Sequence, residues 1–404
     1  VFNNRRPVLE KAVKRFLECG DLAAYEKFVA DNSSWLEVFV EYMAIKEYFD
    51  LKAWTEWPDA ALRRREAASL AHYREKLADR LTYHRVTQYL FFKQWLELKA
   101  YANEHYIEIV GDMPIYVAAD SCDVWAQPHF FKTDELGQPT CVAGCPPDEF
   151  SATGQLWGNP IYDWKAMDKD GYSWWIKRLR ESFKIYDVVR IDHFRGFESY
   201  WEIPASSDTA APGKWVKGPD YALFKAVKEE LGDLNIIAED LGFMTDEVIA
   251  LREKTGFPGM KVTQFAFNPD SESIDSPHLA PNNSVMYTGT HDNNTVLGWY
   301  RDEIDDATRE YMAQYTNRKE YETVPHAMLR TIFASVSFMA IATMQDLLEL
   351  DGSARMNYPS TIGGNWSWRM TADELNPVVE AELYSLTKTY RRVNKKLLNH
   401  ENEL

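Results

Sequence analysis

The chain has 404 residues, of which 45% are hydrophobic and 26% are charged, and its formal net charge is −17. These values are typical of an ordered globular protein, and the length allows either one large α/β barrel with insertions or two domains. The negative charge disfavours nucleic acid and anionic membranes as partners, because phosphate groups select clustered Lys and Arg, so a neutral or cationic ligand fits better.

The cysteines and the longest apolar run indicate the compartment. Four cysteines in a chain of this length, with no secretory signal, do not suggest a disulfide framework, so we expect a reducing compartment and predict a cytoplasmic protein. The longest apolar stretch, residues 332–344, is shorter than the roughly 18 residues of a membrane span. We read it as a helix end followed by a buried strand and expect no membrane partner.

The first hundred residues carry a helical pattern. From Pro7 to about His105 the apolar residues recur at helical spacing, as in Val13, Phe16 and Leu17. We therefore predict a mainly helical inserted subdomain over residues 1–106, followed by a catalytic barrel portion over residues 107–404.

After residue 106 the pattern changes to short apolar runs. We predict six buried parallel strands from the runs YIEIVGDMPI, YDVVRIDHF, LNIIAEDLG, MKVTQFAF, SVMYTGTHD and SFMAIATMQDL. Helix-length segments such as 220–231 and 245–254 separate them, which is the rhythm of βα units. The stretch from 118 to about 175 is longer than an ordinary βα loop, so we interpret it as an inserted functional loop.

Three carboxylates end three of these runs. Asp192 lies two residues after Arg190, so both side chains share one face of a strand, and the guanidinium favours an ionised, nucleophilic carboxylate. Glu239 follows an apolar run that suits a general acid with a raised pKa, and Asp292 supplies a third acidic group. Singly, each could be a helix cap or the partner of a surface Arg. On three strands they predict a glycosyl-transferring site, and we interpret Asp240 as a cap or a supporting residue.

The resemblance to a known family rests on several motifs in order. They are GDMPIYV (111–117), DVWA (123–126), PPDEFSATGQLWGNPIYDW (146–164), VRIDHFRGFESYW (189–201), IIAEDLG (236–242), TGTHDNNT (288–295) and ARMNYPSTIGGNWSWR (354–369). With them the chain resembles 4-α-glucanotransferases of the amylomaltase or disproportionating-enzyme type, glycoside hydrolase family 77, which are related to the α-amylases. GQLWGNP is the most diagnostic segment, because the amylases lack it.

The resemblance implies a role for each carboxylate. Asp192 is similar to the family nucleophile, Glu239 to the general acid and base, and Asp292 to the carboxylate that binds sugar hydroxyls and stabilises the transition state. Arg190 and His291 match the usual supporting residues.

Other residues of these motifs fit a sugar site. Trp125, Trp157, Trp366 and Trp368 suit stacking on pyranose rings, whereas Trp54 and Trp174 read as packing residues. Further candidates for substrate binding are Asp112, which could equally brace the barrel, His193, which strand alternation turns away from Asp192, and Asn293.

The fold implied is a (β/α)₈ TIM barrel with inserted helical and loop subdomains. Nothing in residues 1–90 resembles the usual opening segment with its SPYxxxS-like loop, so we expect the first two strands to be missing, because the N-terminus is incomplete or because those strands are disordered or numbered out. Ser360 stands where Gly is common in a YPGT-like loop.

Metal and cofactor signals are weak. Cys141 and Cys145 could suggest zinc, but no HExxH or paired histidines accompany them, so we interpret them as loop thiols. No phosphate loop or GxGxxG fingerprint is present. We expect neither metal nor cofactor, and no loss of activity on dialysis against a chelator.

The resemblance therefore implies retaining transfer of α-1,4-glucan segments from a donor maltooligosaccharide to an acceptor glucan or glucose through a covalent glycosyl-enzyme. We expect maltooligosaccharides and starch or glycogen-type glucans as partners of a monomer or weak homo-oligomer. The rivals are an α-amylase-like hydrolase and an inactive glucan-binding fragment.

Overall fold

The computed structural model describes residues 2–147 and 151–394. The chain divides into two compact units, one formed by Val1–Val189 with Gly196–Leu234 and the other by Arg190–Arg195 with Asn235–Leu404. The predicted division at residue 106 stays a prediction. Residues 148–150, which belong to one of the matched motifs, lie outside the described residues.

The first unit begins with helices. Its helices are α1 (Phe2–Cys19), α2 (Leu22–Tyr48), α3 (Ala60–Arg63), α4 (Ala67–Lys76), α5 (Ala78–Glu104), α6 (Cys122–Ala126), α7 (Trp164–Lys169), α8 (Ser173–Ile185) and α9 (Tyr221–Leu231). A cluster of Val13, Tyr83 and Val86 packs α1 on α5, and the Asp21 side chain caps α2 by accepting from the Ala24 N–H. None of the described helices combines the length and the apolar character that a membrane crossing requires.

Six strands of the described chain form one sheet at the six predicted apolar runs. They are β1 (Val110–Met113), β4 (Val188–Ile191), β7 (Ile236–Ala238), β8 (Gly259–Val262), β9 (Ser284–Tyr287) and β10 (Met339–Ile341). They follow each other in that order across the sheet, and β7 to β10 pair in parallel, with Gly259 beside Ser284 and Met339 beside Val285. The fold class is α/β with a parallel sheet of the barrel type, as predicted.

The second unit alternates strands and helices. Its helices are α10 (Asp246–Thr255), α11 (Val296–Asp302), α12 (Asp306–Tyr315), α13 (Val324–Ala334), α14 (Met344–Leu347) and α15 (Pro377–Thr389). Met286 of β9 packs with Leu329 and Ile332 of α13 in one core cluster, and Trp299 packs with Met312 in another. The helix-length segments predicted at 220–231 and 245–254 are α9 and α10, which begin one residue later, after Asp220 and Thr245.

A second sheet takes two of its four strands from residues 118–175, the stretch that the sequence indicates as an inserted functional loop, and that interpretation stays a prediction. Strands β2 (Cys141–Cys145), β3 (Gln155–Pro160), β5 (Ser199–Pro204) and β6 (Lys214–Lys217) form an antiparallel sheet in the order β3-β2-β5-β6. The register sets Cys141 beside Pro204 and Gly144 beside Trp201. One of the two partners of β2 is β5, which is remote in sequence, so local periodicity cannot reveal that pairing.

Candidate active site

Asp192, Glu239 and Asp292 lie in the second unit, in the loops that follow β4, β7 and β9. Asp192 and Glu239 come directly after the last residue of their strands. Because neighbouring parallel strands end at the same edge of a sheet, this placement brings the three loops to one edge.

Arg190 is the common neighbour of the three carboxylates. Its side chain is buried, donates through Nε to the Met260 sulfur at 3.3 Å, and places Nη2 3.1 Å from Asp192 Oδ1. Its positive charge also acts to lower the pKa of Glu239 and of Asp292. One buried guanidinium therefore interacts with all three acids, and it favours the ionised form of the carboxylate that it touches.

Glu239 is held by main-chain groups. Its Oε2 accepts the His193 N–H at 2.7 Å, and its Oε1 accepts the Leu241 N–H at 2.9 Å. Its main-chain N–H donates to the carbonyl of Ile191 at the end of β4, and its main-chain carbonyl accepts the N–H of Phe194 in the loop after β4, both at 3.0 Å. The carboxyl group is therefore fixed in position without any cationic side chain bound directly to it among these contacts.

Burial raises the pKa of Glu239 to about 7, and the negative charge of Asp192 adds to the effect. Arg190 and the two main-chain donors act in the opposite direction and do not cancel it. A carboxyl group with a pKa near neutrality can give up and take back a proton at working pH, which is what a general acid and base must do.

Asp292 has the opposite surroundings. Its Oδ1 accepts from Asn357 Nδ2 at 2.6 Å, His291 Nε2 lies 3.4 Å from its Oδ2, and Arg355 Nη2 donates to its main-chain carbonyl at 2.7 Å. Burial acts to raise the pKa of this carboxyl, but the bonds from His291 and Asn357 and the positive charges outweigh it, so the pKa is lowered. Asp292 is therefore held ionised.

Arg355 and Asn357 were not among the predicted site residues, although both belong to the matched motif ARMNYPSTIGGNWSWR. The polar pair in that motif was the available signal. In the same motif Trp366 is half exposed, and its ring centre lies 5.0 Å from the ring centre of His291.

Three further candidates of this unit take part through the main chain or through local bonds. His193 has a left-handed backbone conformation (φ 52°), and it is its N–H that binds Glu239. Burial lowers the pKa of its imidazole to about 4, and the Arg195 charge adds to the effect, so the ring is neutral at pH 7.

The other two candidates make local bonds. The amide oxygen of Asn293 accepts the N–H and the hydroxyl of Thr290, both at 2.9 Å. Asp240 is buried, pairs with Arg252 and accepts the Met260 N–H at 2.7 Å, a supporting position.

The other candidates belong to the first unit. Asp112 lies exposed on β1, and Trp157 lies on β3 with 36% of its surface exposed, so their roles in substrate binding stay predictions. Trp125 is fully buried, and its indole N–H donates to the Leu62 carbonyl at 3.3 Å. The expectation that Trp125 suits stacking on a sugar was therefore wrong. Trp54 and Trp174 are buried packing residues, as expected.

The sequence suggested that the two thiols lie in a loop, and this was wrong. Cys141 and Cys145 are the first and last residues of β2. Burial raises the pKa of the Cys141 thiol to about 11, which keeps it protonated. Within residues 2–147 and 151–394 there is no group of three or more His, Cys, Asp or Glu side chains that could hold a metal ion.

The three acids together suit glycosyl transfer with retention. An ionised carboxylate beside a guanidinium can attack an anomeric carbon, a neighbouring acid of raised pKa can protonate the leaving oxygen, and a third, ionised carboxylate can bind sugar hydroxyls.

Comparisons with known proteins agree with this chemistry. The family model described as 4-alpha-glucanotransferase, glycoside hydrolase family 77, matches residues 1–375. The curated 4-alpha-glucanotransferase of Streptococcus pneumoniae is 78% identical over 99% of this chain and 79% of its own length, and that of Clostridium butyricum is 44% identical over 97% and 80%. The solved amylomaltase of Streptococcus agalactiae, in complex with acarbose, superposes with a TM-score of 0.95 at 47% identity, over 97% of this chain and 79% of that one.

Proposed function

The chain belongs to the 4-alpha-glucanotransferase family and is a transferase acting on α-1,4-glucans, and we propose that it works by a retaining double displacement centred on Asp192 and Glu239. The observation that carries the proposal is the contrast between the two carboxyl groups. Asp192 is paired with Arg190 at 3.1 Å, while Glu239 has a pKa raised to about 7.

In the first half of the reaction Asp192 attacks the anomeric carbon of the donor sugar. Glu239, protonated, gives its proton to the glycosidic oxygen, and the shortened glucan leaves with a free hydroxyl. A retaining mechanism requires the two carboxyl groups to lie about 5 to 5.5 Å apart, so that one contacts the anomeric carbon and the other the oxygen. Arg190 supports this step because it keeps the attacking carboxylate ionised.

In the second half Glu239 must act as a base. Once Asp192 is esterified by the sugar it loses its negative charge, and one of the two causes that raise the pKa of Glu239 disappears. The pKa then falls, and Glu239 can take the proton from an incoming hydroxyl group. The oxygen of that hydroxyl bonds to the anomeric carbon while the ester bond breaks and releases the Asp192 carboxylate. If that hydroxyl belongs to a glucan, the product is a rearranged glucan. If it belongs to water, the glycosyl-enzyme is hydrolysed.

Asp292 binds hydroxyl groups of the reacting sugar in this proposal. The Asp292 carboxylate, which His291 and Asn357 hold ionised, has two oxygens that are strong hydrogen-bond acceptors. Its negative charge offsets the positive charge that develops on the sugar ring in the oxocarbenium-like transition state. His291, Asn293, His193, Asp112 and Trp157 remain proposed substrate-binding residues.

The proposed substrates are maltooligosaccharides and starch or glycogen-type glucans, in keeping with the acarbose complex of the Streptococcus agalactiae amylomaltase. We further propose a cytoplasmic monomer or weak homo-oligomer that binds neither nucleic acid nor membrane. The net charge of −17 supports the partner proposal, and the presence of only four cysteines in 404 residues supports the compartment proposal. Light scattering at two protein concentrations tests the oligomeric state.

Asp192→Asn tests the proposed mechanism. We expect the variant to lose transfer between maltotriose molecules by at least about a thousandfold, because an amide cannot form the glycosyl ester. Its affinity for maltodextrin, measured by calorimetry, should stay within a few fold of that of the wild type, since the binding groups remain.

Asp306→Asn is the matched control, because the Asp306 side chain is 99% exposed on α12. It should convert maltotriose into glucose and longer maltodextrins as the wild type does. Unchanged turnover by Asp192→Asn would contradict the mechanism, and a wild type that releases only glucose and maltose would instead indicate a hydrolase.

A further inference from the structure

Phe243 is an exposed aromatic residue in the turn that follows Glu239. Its side chain is 68% exposed, whereas phenylalanine is among the residues most often buried. It stands four residues after Glu239 and directly after Gly242, whose backbone is left-handed (φ 80°) and lies in a bend. The ring therefore lies in the same turn as the proposed acid.

Arg195 holds this ring in place. Its Nη1 donates to the Phe243 carbonyl at 2.7 Å, and the centre of its guanidinium lies 5.4 Å from the centre of the Phe243 ring. Arg195 itself is buried, with 5% of its surface exposed. A buried cation against the ring stabilises its position while most of the ring stays in solvent. The Phe243 ring is therefore an exposed apolar surface whose position is stabilised by Arg195 and not by packing in the core.

The same two segments also hold Glu239. Arg195 belongs to the loop after β4, which supplies the His193 N–H to Oε2 of Glu239, and Phe243 belongs to the turn after β7, which supplies the Leu241 N–H to Oε1. The position of the Phe243 ring is thereby tied to the position of the carboxyl group that handles the proton.

The site next to the Glu239 carboxyl group holds first the leaving sugar and later the acceptor sugar. Glu239 protonates the oxygen of the leaving glucan and later takes the proton from the acceptor hydroxyl, so both occupy one place in turn. Aromatic rings offer large apolar area at little entropic cost, and the carbon-bound hydrogens of a pyranose form an apolar face that can stack on them.

We propose that Phe243, held by Arg195, is a stacking platform for the glucose unit on the acceptor side of the scissile bond, and that it favours transfer over hydrolysis. The inference rests on the proposed function and deepens it. A bound acceptor sugar competes with water for the glycosyl-enzyme. Removal of the Phe243 ring should therefore lower the rate of transfer but not the rate of hydrolysis.

The test compares Phe243→Ala with wild type, using maltotriose as donor and isotopically labelled glucose as acceptor. Label in longer products measures transfer, and the rise in total reducing ends measures hydrolysis, because transfer leaves their number unchanged. We expect the KM for labelled glucose to rise about tenfold, the change produced by roughly 1.4 kcal/mol, with hydrolysis equal or faster. Phe243→Tyr, which keeps the ring, should restore the KM.

Phe338→Ala is the matched control, because Phe338 is 50% exposed and precedes β10, at the end of the sheet opposite the catalytic loops. An acceptor KM and a transfer-to-hydrolysis ratio in Phe243→Ala equal to those of wild type and Phe338→Ala would overturn the platform. A wild type that incorporates no label would instead contradict the proposed function, so the two failures are distinguishable.

Discussion

At the scale of single residues, Glu239 and Asp292 are both acids whose burial raises the pKa, yet the net shifts have opposite signs. The difference lies in their partners. Glu239 has the negative Asp192 close by and accepts two main-chain N–H groups, whereas Asp292 has an imidazole at 3.4 Å and an amide at 2.6 Å. These surroundings suit Glu239 to the proposed proton transfer and hold Asp292 as a permanent charge.

The raised pKa of Glu239 predicts the alkaline limb of the activity profile. In the proposed mechanism Glu239 must be protonated for the first step, so kcat/KM for maltotriose should fall as pH rises through about 7, the pKa of this group in the free enzyme. Carbon NMR of labelled glutamate measures the same titration directly. In Asp192→Asn the titration should move to lower pH, because a negative charge beside Glu239 is removed. A limb that stays flat to pH 9 would contradict the assignment.

Glu239→Gln separates the two steps. With maltotriose, which needs a proton on its leaving oxygen, we expect turnover to fall by about 10²- to 10⁴-fold. With α-maltosyl fluoride the first step needs no proton, so the sugar should reach Asp192 and then accumulate there for lack of a base. Peptide mass spectrometry locates the adduct, and an equal loss of rate with both donors would contradict the role. Glu310→Gln on α12 serves as the control substitution.

At the scale of elements, the loop after the short 3₁₀ helix Gly352–Ala354 carries the groups that fix Asp292, and its backbone is unusual. Ser360 (φ 63°) and Trp366 (φ 58°) join Gly363 (φ 86°) and Gly364 (φ 76°) in the left-handed region. Ser360 stands where glycine is common in the family pattern. The structure supplies the physical meaning, since glycine adopts this conformation at little cost.

Ser360→Gly should therefore stabilise the protein. A left-handed L-residue costs roughly 1 to 2 kcal/mol, and the greater freedom of glycine in the unfolded chain cancels about 0.5 to 1 kcal/mol of that gain. We expect the free energy of unfolding in urea to rise by about 0.5 kcal/mol. Gly363→Ala is the opposite change, because a Cβ there meets no atom within 4 Å but the positive φ strains it. Both substitutions shifting stability in the same direction would contradict the argument.

At the scale of the whole molecule, the net charge of −17 has no role in capturing a neutral glucan. Electrostatic steering acts on charged ligands and is removed by salt, whose screening length falls from about 30 Å at 0.01 M to about 3 Å at 1 M. We expect kcat/KM for maltotriose, measured at pH 6, to change by less than about twofold over that range. A steep decline with salt would mean that long-range charge contributes to substrate capture.

The sequence by itself determined the six strands of the parallel sheet and the three acids at their ends. Both follow from local order, because apolar runs fix the buried strands and the residue after a strand must lie at its end. The spacing of Arg190 and Asp192 likewise placed a guanidinium beside a carboxylate.

Only the tertiary structure decided the partners that are distant along the chain. Asn357 reaches Asp292 from 65 residues away, β2 pairs with β5, Trp125 is buried in the core, and Arg195 holds the Phe243 ring. Such contacts depend on how the elements pack, and no periodicity or spacing in the sequence records which distant residues will meet.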